Sequence, residues 1–209
     1  MPDIDKFFDE IDSARSRRAR ELSDIQFRFT SYSGPDPSGI NSRAVIVLTY
    51  ASWEGFYNEC ARVYVRFLRE RGGKVRDSDW RLLLGALKGD FESLRARNHS
   101  DEAREQFVHN LKARLECGFE AVDGSIIEAR SNLNFARLSW NLGVLNFNLT
   151  QFQRYRIRMD RELVQWRHLV AHGEPPDLSA LSISGHVHFA AELLITLADG
   201  FQMAMLQRM

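Results

Sequence analysis

Apolar residues recur at three- and four-residue intervals through most of the chain, the spacing that lays one stripe along a helix. The pattern predicts seven helices. The first covers residues 3 to about 28 on Ile4, Phe7, Phe8, Ile11 and Ala14. The segment SYSGPDPSG, residues 31–39, reads as a mobile loop, because its Gly and Pro residues forbid continuation and favour turns. The second helix runs from residue 40 to about 71, with Asn41 or Ser42 as cap and Gly72-Gly73 as stop. Its first half, residues 44–51, is apolar almost all round, which predicts burial on most sides. A third, capped by Asp77 or Ser78, carries Trp80, Leu82, Leu83, Leu84, Leu87, Phe91 and Leu94. Ser100-Asp101 opens a fourth, to about residue 114, with Phe107, Val108 and Leu111. The pattern then weakens over residues 116–131, a partly irregular link. Ser131-Asn132-Leu133-Asn134 caps a fifth helix, to about residue 148. The sixth spans residues 154–173 and cannot pass Pro175-Pro176. The seventh covers about residues 182–206. No period-two alternation bounded by hairpin turns occurs. The expectation is an all-α helical bundle forming one domain, residues 1–209, with residues 1–39 as an N-terminal helix and loop and residues 40–209 as the core bundle.

The sixth helix carries the candidate chemistry. At about 100° per residue, Arg154, Arg158, Arg161, Gln165, His168 and His172 fall within roughly one 80° sector, beside an apolar sector of Tyr155, Met159, Leu163, Trp166, Leu169 and Val170. A basic stripe ending in histidines suits RNA cleavage. Phosphates need positive charge along their track, so Arg154, Arg158 and Arg161 are candidate RNA contacts. Imidazole titrates near neutral pH and can move a proton. Arg167 and His172 lie about 140° apart on an ideal helix. They converge only if the arginine arm reaches round, if the helix tightens at its end, or if two copies of the helix meet. The bland reading is that these cations only favour the helix dipole. Glu54, set between Trp53 and Phe56, is either a surface glutamate or a buried partner for Arg167.

Composition narrows the classes. Hydrophobic content of 44% and charged content of 27% are those of a soluble globular protein. The net charge is +0, so any RNA contact must come from a local basic surface. The run RSRRAR, residues 15–20, is a solvated face or such a surface. Cys60 and Cys117 lack a metal-pair spacing and read as reduced thiols, and Cys60 has no recognisable base partner. No stretch approaches the ~20 apolar residues of a membrane span. The acidic start lacks the marks of a signal peptide, so the expected location is the cytoplasm, away from membranes. No Gly-rich phosphate loop occurs, and His186 and His188 face apart on a helix; neither a cofactor nor a metal is expected.

The stretch Trp166-Arg167-His168-Leu169-Val170-Ala171-His172-Gly173 resembles the signature of the HEPN superfamily, in which Arg, a polar residue, three further positions and His close a helix. Tyr50-Ala51-Ser52-Trp53-Glu54-Gly55-Phe56 looks like the second-helix segment of its RiboL-PSP branch, and Ser131-Asn132-Leu133-Asn134 is similar to that branch's Ser-Asn-Leu motif. Order and rough spacing agree over about residues 40–200. Position 168 is His where Asn or Asp is common. The resemblance implies a homodimer whose Arg167 and His172 side chains pool in an interface cleft; His168 either adds a second acid or base or simply keeps a hydrogen-bonding group, and Glu54 is a candidate supporting residue. It implies metal-independent endoribonuclease activity leaving 2′,3′-cyclic phosphate ends. It also implies a toxin or antiviral-defence role under the restraint of an antitoxin or other regulatory protein. The alternative it allows is a non-catalytic dimer that binds RNA, a nucleotide or a regulatory protein.

Overall fold

The periodic stripes fold as helices, and among the described residues no strand forms beyond an isolated bridge between Lys74 and Gly118. The computed structural model describes residues 3–30, 39–77, 80–130, 132–145, 147–178 and 182–209. The expected loop at residues 31–38, the Ser78 cap and Ser131 lie outside these. The principal helices are α1 (Ile4–Thr30), α2 (Ile40–Arg71), α3 (Lys88–Ala96), α4 (Asp101–Leu115), α5 (Phe135–Val144), α6 (Trp166–Ala171) and α7 (Ile183–Leu206).

Three long helices, α1, α2 and α7, pack on one another and form the core. Contacts between α1 and α2 fix their directions. Lys6 lies 3.7 Å from Glu70, Glu10 meets Arg66, Arg18 meets Glu59, and the Ser52 hydroxyl lies 3.3 Å from Glu21. Partners ascend α1 as they descend α2, so the pair is antiparallel. Helix α7 begins near the end of α1, where Gln26 donates to Ser184 at 3.0 Å, and ends near the middle of α2, where the Phe201 ring meets Tyr57 and Tyr64. Trp53, Phe56, Tyr57, Tyr64, Phe67 and Phe201 are fully buried between them. The run RSRRAR is mostly absorbed here: Arg17 and Arg18 meet Glu59, and Arg15 reaches Asp12 at 3.0 Å. Burial also pushes the Cys60 thiol far up, which makes it a poor nucleophile.

Helix α7 corrects one expectation. It is long and apolar enough, by length and composition, to cross a membrane. Here Val187, Phe189, Leu193, Leu194, Leu197, Phe201 and Met205 spend that apolar surface on the core.

Four boundaries differ from the pattern. Helix α2 starts at Ile40 with Gly39 at the cap, so Asn41 and Ser42 lie inside its first turn. The third predicted helix breaks into Trp80–Leu82, Leu83–Ala86 and α3, and just before the second break the Gly85 carbonyl accepts the Asp123 N–H at 3.2 Å. The fifth ends at Val144; Asn148 instead caps a new turn, its side chain accepting the Thr150 N–H at 2.9 Å. The sixth is not one regular helix. It turns at Arg154 and Tyr155, widens to i→i+5 bonding over Met159–Gln165, and only then becomes α6. The link before α5 is irregular as expected, built on short tight turns at Phe119–Ala121 and Gly124–Ile127.

Candidate functional site

Helix α6 lies against α2, pinned by a small apolar cluster of Ile46, Trp166 and Leu178 with Val170. That leaves Arg167 facing α2. Its guanidinium carbon sits 4.2 Å from the centroid of the Tyr50 ring, a cation–π contact worth roughly 0.5–2 kcal/mol. The Tyr50 hydroxyl accepts the Leu133 N–H at 2.8 Å and donates to Glu54 at 3.1 Å. Tyr50 is nearly buried, and burial raises its pKa against the opposing pull of Leu133 and Arg167. The phenol is therefore neutral at neutral pH and keeps the proton that it gives to Glu54. One side chain thus ties together all three stretches that the sequence singled out. Glu54 connects to Arg167 through Tyr50.

The other flank of α6 is open. His168 and His172 are exposed, with ring centroids 4.3 Å apart. The chain stops there by a defined device. His172 is the last residue with near-helical backbone, Gly173 takes φ +76°, the Gly173 N–H returns to Val170 at 3.2 Å and the Glu174 N–H to Leu169 at 2.9 Å. This is the glycine-terminated stop in which two otherwise orphaned carbonyls are satisfied. A side chain at 173 strains that backbone. Gly173→Ala is expected to cost about 1 kcal/mol in a urea melt and to displace His172.

The basic stripe is not continuous. The wide turn over Met159–Gln165 inserts about one residue's rotation, ~100°, between the arginines and the histidines. Arg154 bonds and stacks on Tyr155. Arg158 lies 4.2 Å over the Phe189 ring, donates to Glu162 at 2.9 Å and to the Gly185 carbonyl at 2.9 Å. Arg161 reaches Glu162 at 3.2 Å. Glu162 is buried, with His186 of α7 at 3.8 Å. The i,i+4 spacing of Arg158 and Glu162 signals this neutralisation in the sequence. His188, by contrast, points outward beside Glu192 at 3.7 Å.

Burial pushes the Glu162 carboxyl up, but His186, Arg158 and Arg161 outweigh it and hold it below the usual carboxylate range. A folded-state value below the unfolded one adds stability above the unfolded value and loses it as pH falls through the folded one. Glu162→Gln should therefore flatten the fall of the urea midpoint below about pH 4.

One expectation about α2 holds only in part: of residues 44–51, Val45, Ile46, Thr49 and Tyr50 are buried, while Val47, Leu48 and Ala51 are exposed. The site residue that the sequence reading left without a role is Tyr50; its signal was its place four residues before Glu54, on the same helical face.

A family model described as RiboL-PSP-HEPN matches residues 13–202. No curated protein and no solved structure gives a significant match to the chain.

Proposed function

From the chain's membership of the RiboL-PSP-HEPN family, we propose that it is a metal-independent endoribonuclease acting as a homodimer. The supporting observation is the junction at α6: a guanidinium fixed on the Tyr50 ring, directly followed in sequence by an exposed imidazole pair at a rigid helix end. Arg167 holds the scissile phosphate and neutralises charge as the transition state forms. One imidazole, His172, takes the proton of the ribose 2′-hydroxyl. The 2′-oxygen attacks phosphorus, the bond from phosphorus to the 5′-oxygen breaks, and that oxygen takes a proton from a second imidazole, His168 or the other copy's His172. The products are a 2′,3′-cyclic phosphate and a free 5′-hydroxyl. RNA supplies the nucleophile, so no metal is needed and DNA is inert.

Two copies are proposed because Arg167 and His172 leave α6 on different flanks, and because the exposed Val47, Leu48 and Ala51 give α2 an apolar face beside the site for a second copy. We also propose, from the family resemblance, a toxin or defence role under an antitoxin or similar partner, and, from the reading of both cysteines as reduced thiols, a cytoplasmic location. The rival is a non-catalytic dimer that binds RNA, a nucleotide or a regulatory protein; the stacking of Arg167 on Tyr50 within one chain favours it. Purified protein with RNA in EDTA separates the two. Cleavage to cyclic-phosphate ends supports the nuclease, and intact RNA after prolonged incubation ends it.

A further inference from the structure

A polar cleft of about 470 Å³ opens at the start of α5, walled by Arg130, Asn132, Asn134, Arg137 and Trp140. Two guanidinium groups line it and no carboxylate does, so among the described residues its lining selects anions. Trp140 is 42% exposed, unusual for an indole with no structural task, and the Arg137 guanidinium carbon lies 5.7 Å from its ring centroid. Their i,i+3 spacing puts both on one face of α5. Arg130 is held at φ +53°, and the Asn132 N–H closes the turn around it by bonding Ala129 at 3.3 Å. Asp160, close to the start of α5, accepts the Phe135 N–H at 2.7 Å. Asn134 caps α5 through the Arg137 N–H at 2.8 Å.

The cleft also adjoins the candidate site. Asn132 is followed by Leu133, whose N–H bonds the Tyr50 hydroxyl beneath Arg167. A ligand in the cleft and a phosphate at Arg167 would thus lie on either side of one short segment, residues 132–134.

An exposed aromatic face flanked by arginines is how single-stranded RNA is gripped: bases stack on the ring and guanidinium groups take the backbone. We propose that this cleft is a nucleotide subsite for the RNA strand, stacking an unpaired base on Trp140 and binding its phosphate through Arg130 and Arg137. Its place beside the cut rests on the nuclease reading above; its affinity for RNA does not.

The test is fluorescence anisotropy of a labelled single-stranded RNA 10-mer with the full chain carrying His172→Ala, which leaves the probe intact. Adding Trp140→Leu should weaken binding about tenfold, and Trp140→Phe should restore most of it. Arg137→Gln should lower the slope of log affinity against log salt by about one. Urea midpoints matching the His172→Ala parent exclude misfolding as the cause. The proposal is overturned if Trp140→Leu and Arg137→Gln bind as the parent does, or if the parent binds no RNA. If the unmutated chain fails to cut RNA but Trp140→Leu still weakens binding, the cleft stands and the nuclease reading falls. If it cuts while Trp140→Leu binds normally, the reverse holds.

Discussion

Replacing His172 with alanine is expected to slow RNA cleavage by about 10² to 10⁴ while leaving the urea midpoint where it was. The size is that of losing a positioned proton-transfer group. The unchanged stability follows because the His172 side chain is exposed and its backbone, not its ring, completes the stop at Gly173. The mechanism is wrong if the alanine variant cuts as fast as the parent. A mixed preparation sharpens this. One chain carrying His172→Ala and one carrying Arg167→Ala are each expected to be slowed to this degree alone. If each cleft takes its arginine from one copy and its His172 from the other, with His168 as the second imidazole, mixed dimers regain one intact cleft, and cleavage returns on mixing. If each chain supplies both groups to its own cleft, mixing restores nothing.

The largest structural effect is expected at Tyr50. Tyr50→Ala removes a nearly buried ring on which Arg167 rests and the oxygen that holds Leu133, and should cost about 3–5 kcal/mol. Tyr50→Phe is the more informative change. The ring and its cation contact stay, while the Leu133 N–H and Glu54 lose their shared partner, which costs about 1–3 kcal/mol. A urea melt reads both. Equal midpoints for Tyr50→Phe and the parent would show that the Leu133 bond has a cheap substitute. Cleavage by Tyr50→Phe should fall less than by Tyr50→Ala, because only the latter removes the ring under Arg167.

The helices were legible because burial writes itself as period 3.6, and Phe7, Ile11, Trp53, Tyr57, Leu193 and Phe201 obey it. The α4 and α5 caps were legible for the same local reason: Ser100 and Asn134 accept the N–H three residues on. What a single helical period cannot encode is a change of period. The wide turn at Met159–Gln165 moves the histidines out of line with Arg154, Arg158 and Arg161, and no residue type there announces it. The partner of Arg167 was equally hidden. Glu54 was the obvious charge, but an aromatic face and a backbone N–H more than eighty residues away compete with it only in three dimensions. The exposure of Val47 and Leu48 could not be read from their apolarity, which is the same whether a neighbour belongs to this chain or to another.

The charges that join α1 to α2 are partly exposed, and each such pair contributes little to stability, about 0–1 kcal/mol. Their order along the two helices matters more. Slide α1 by one turn in one direction and Lys6 comes opposite Arg66; slide it the other way and Glu10 faces Glu70. A one-turn slip in either direction thus sets a like-charged pair face to face, so the order of charges helps to hold one alignment of an otherwise slippery apolar seam.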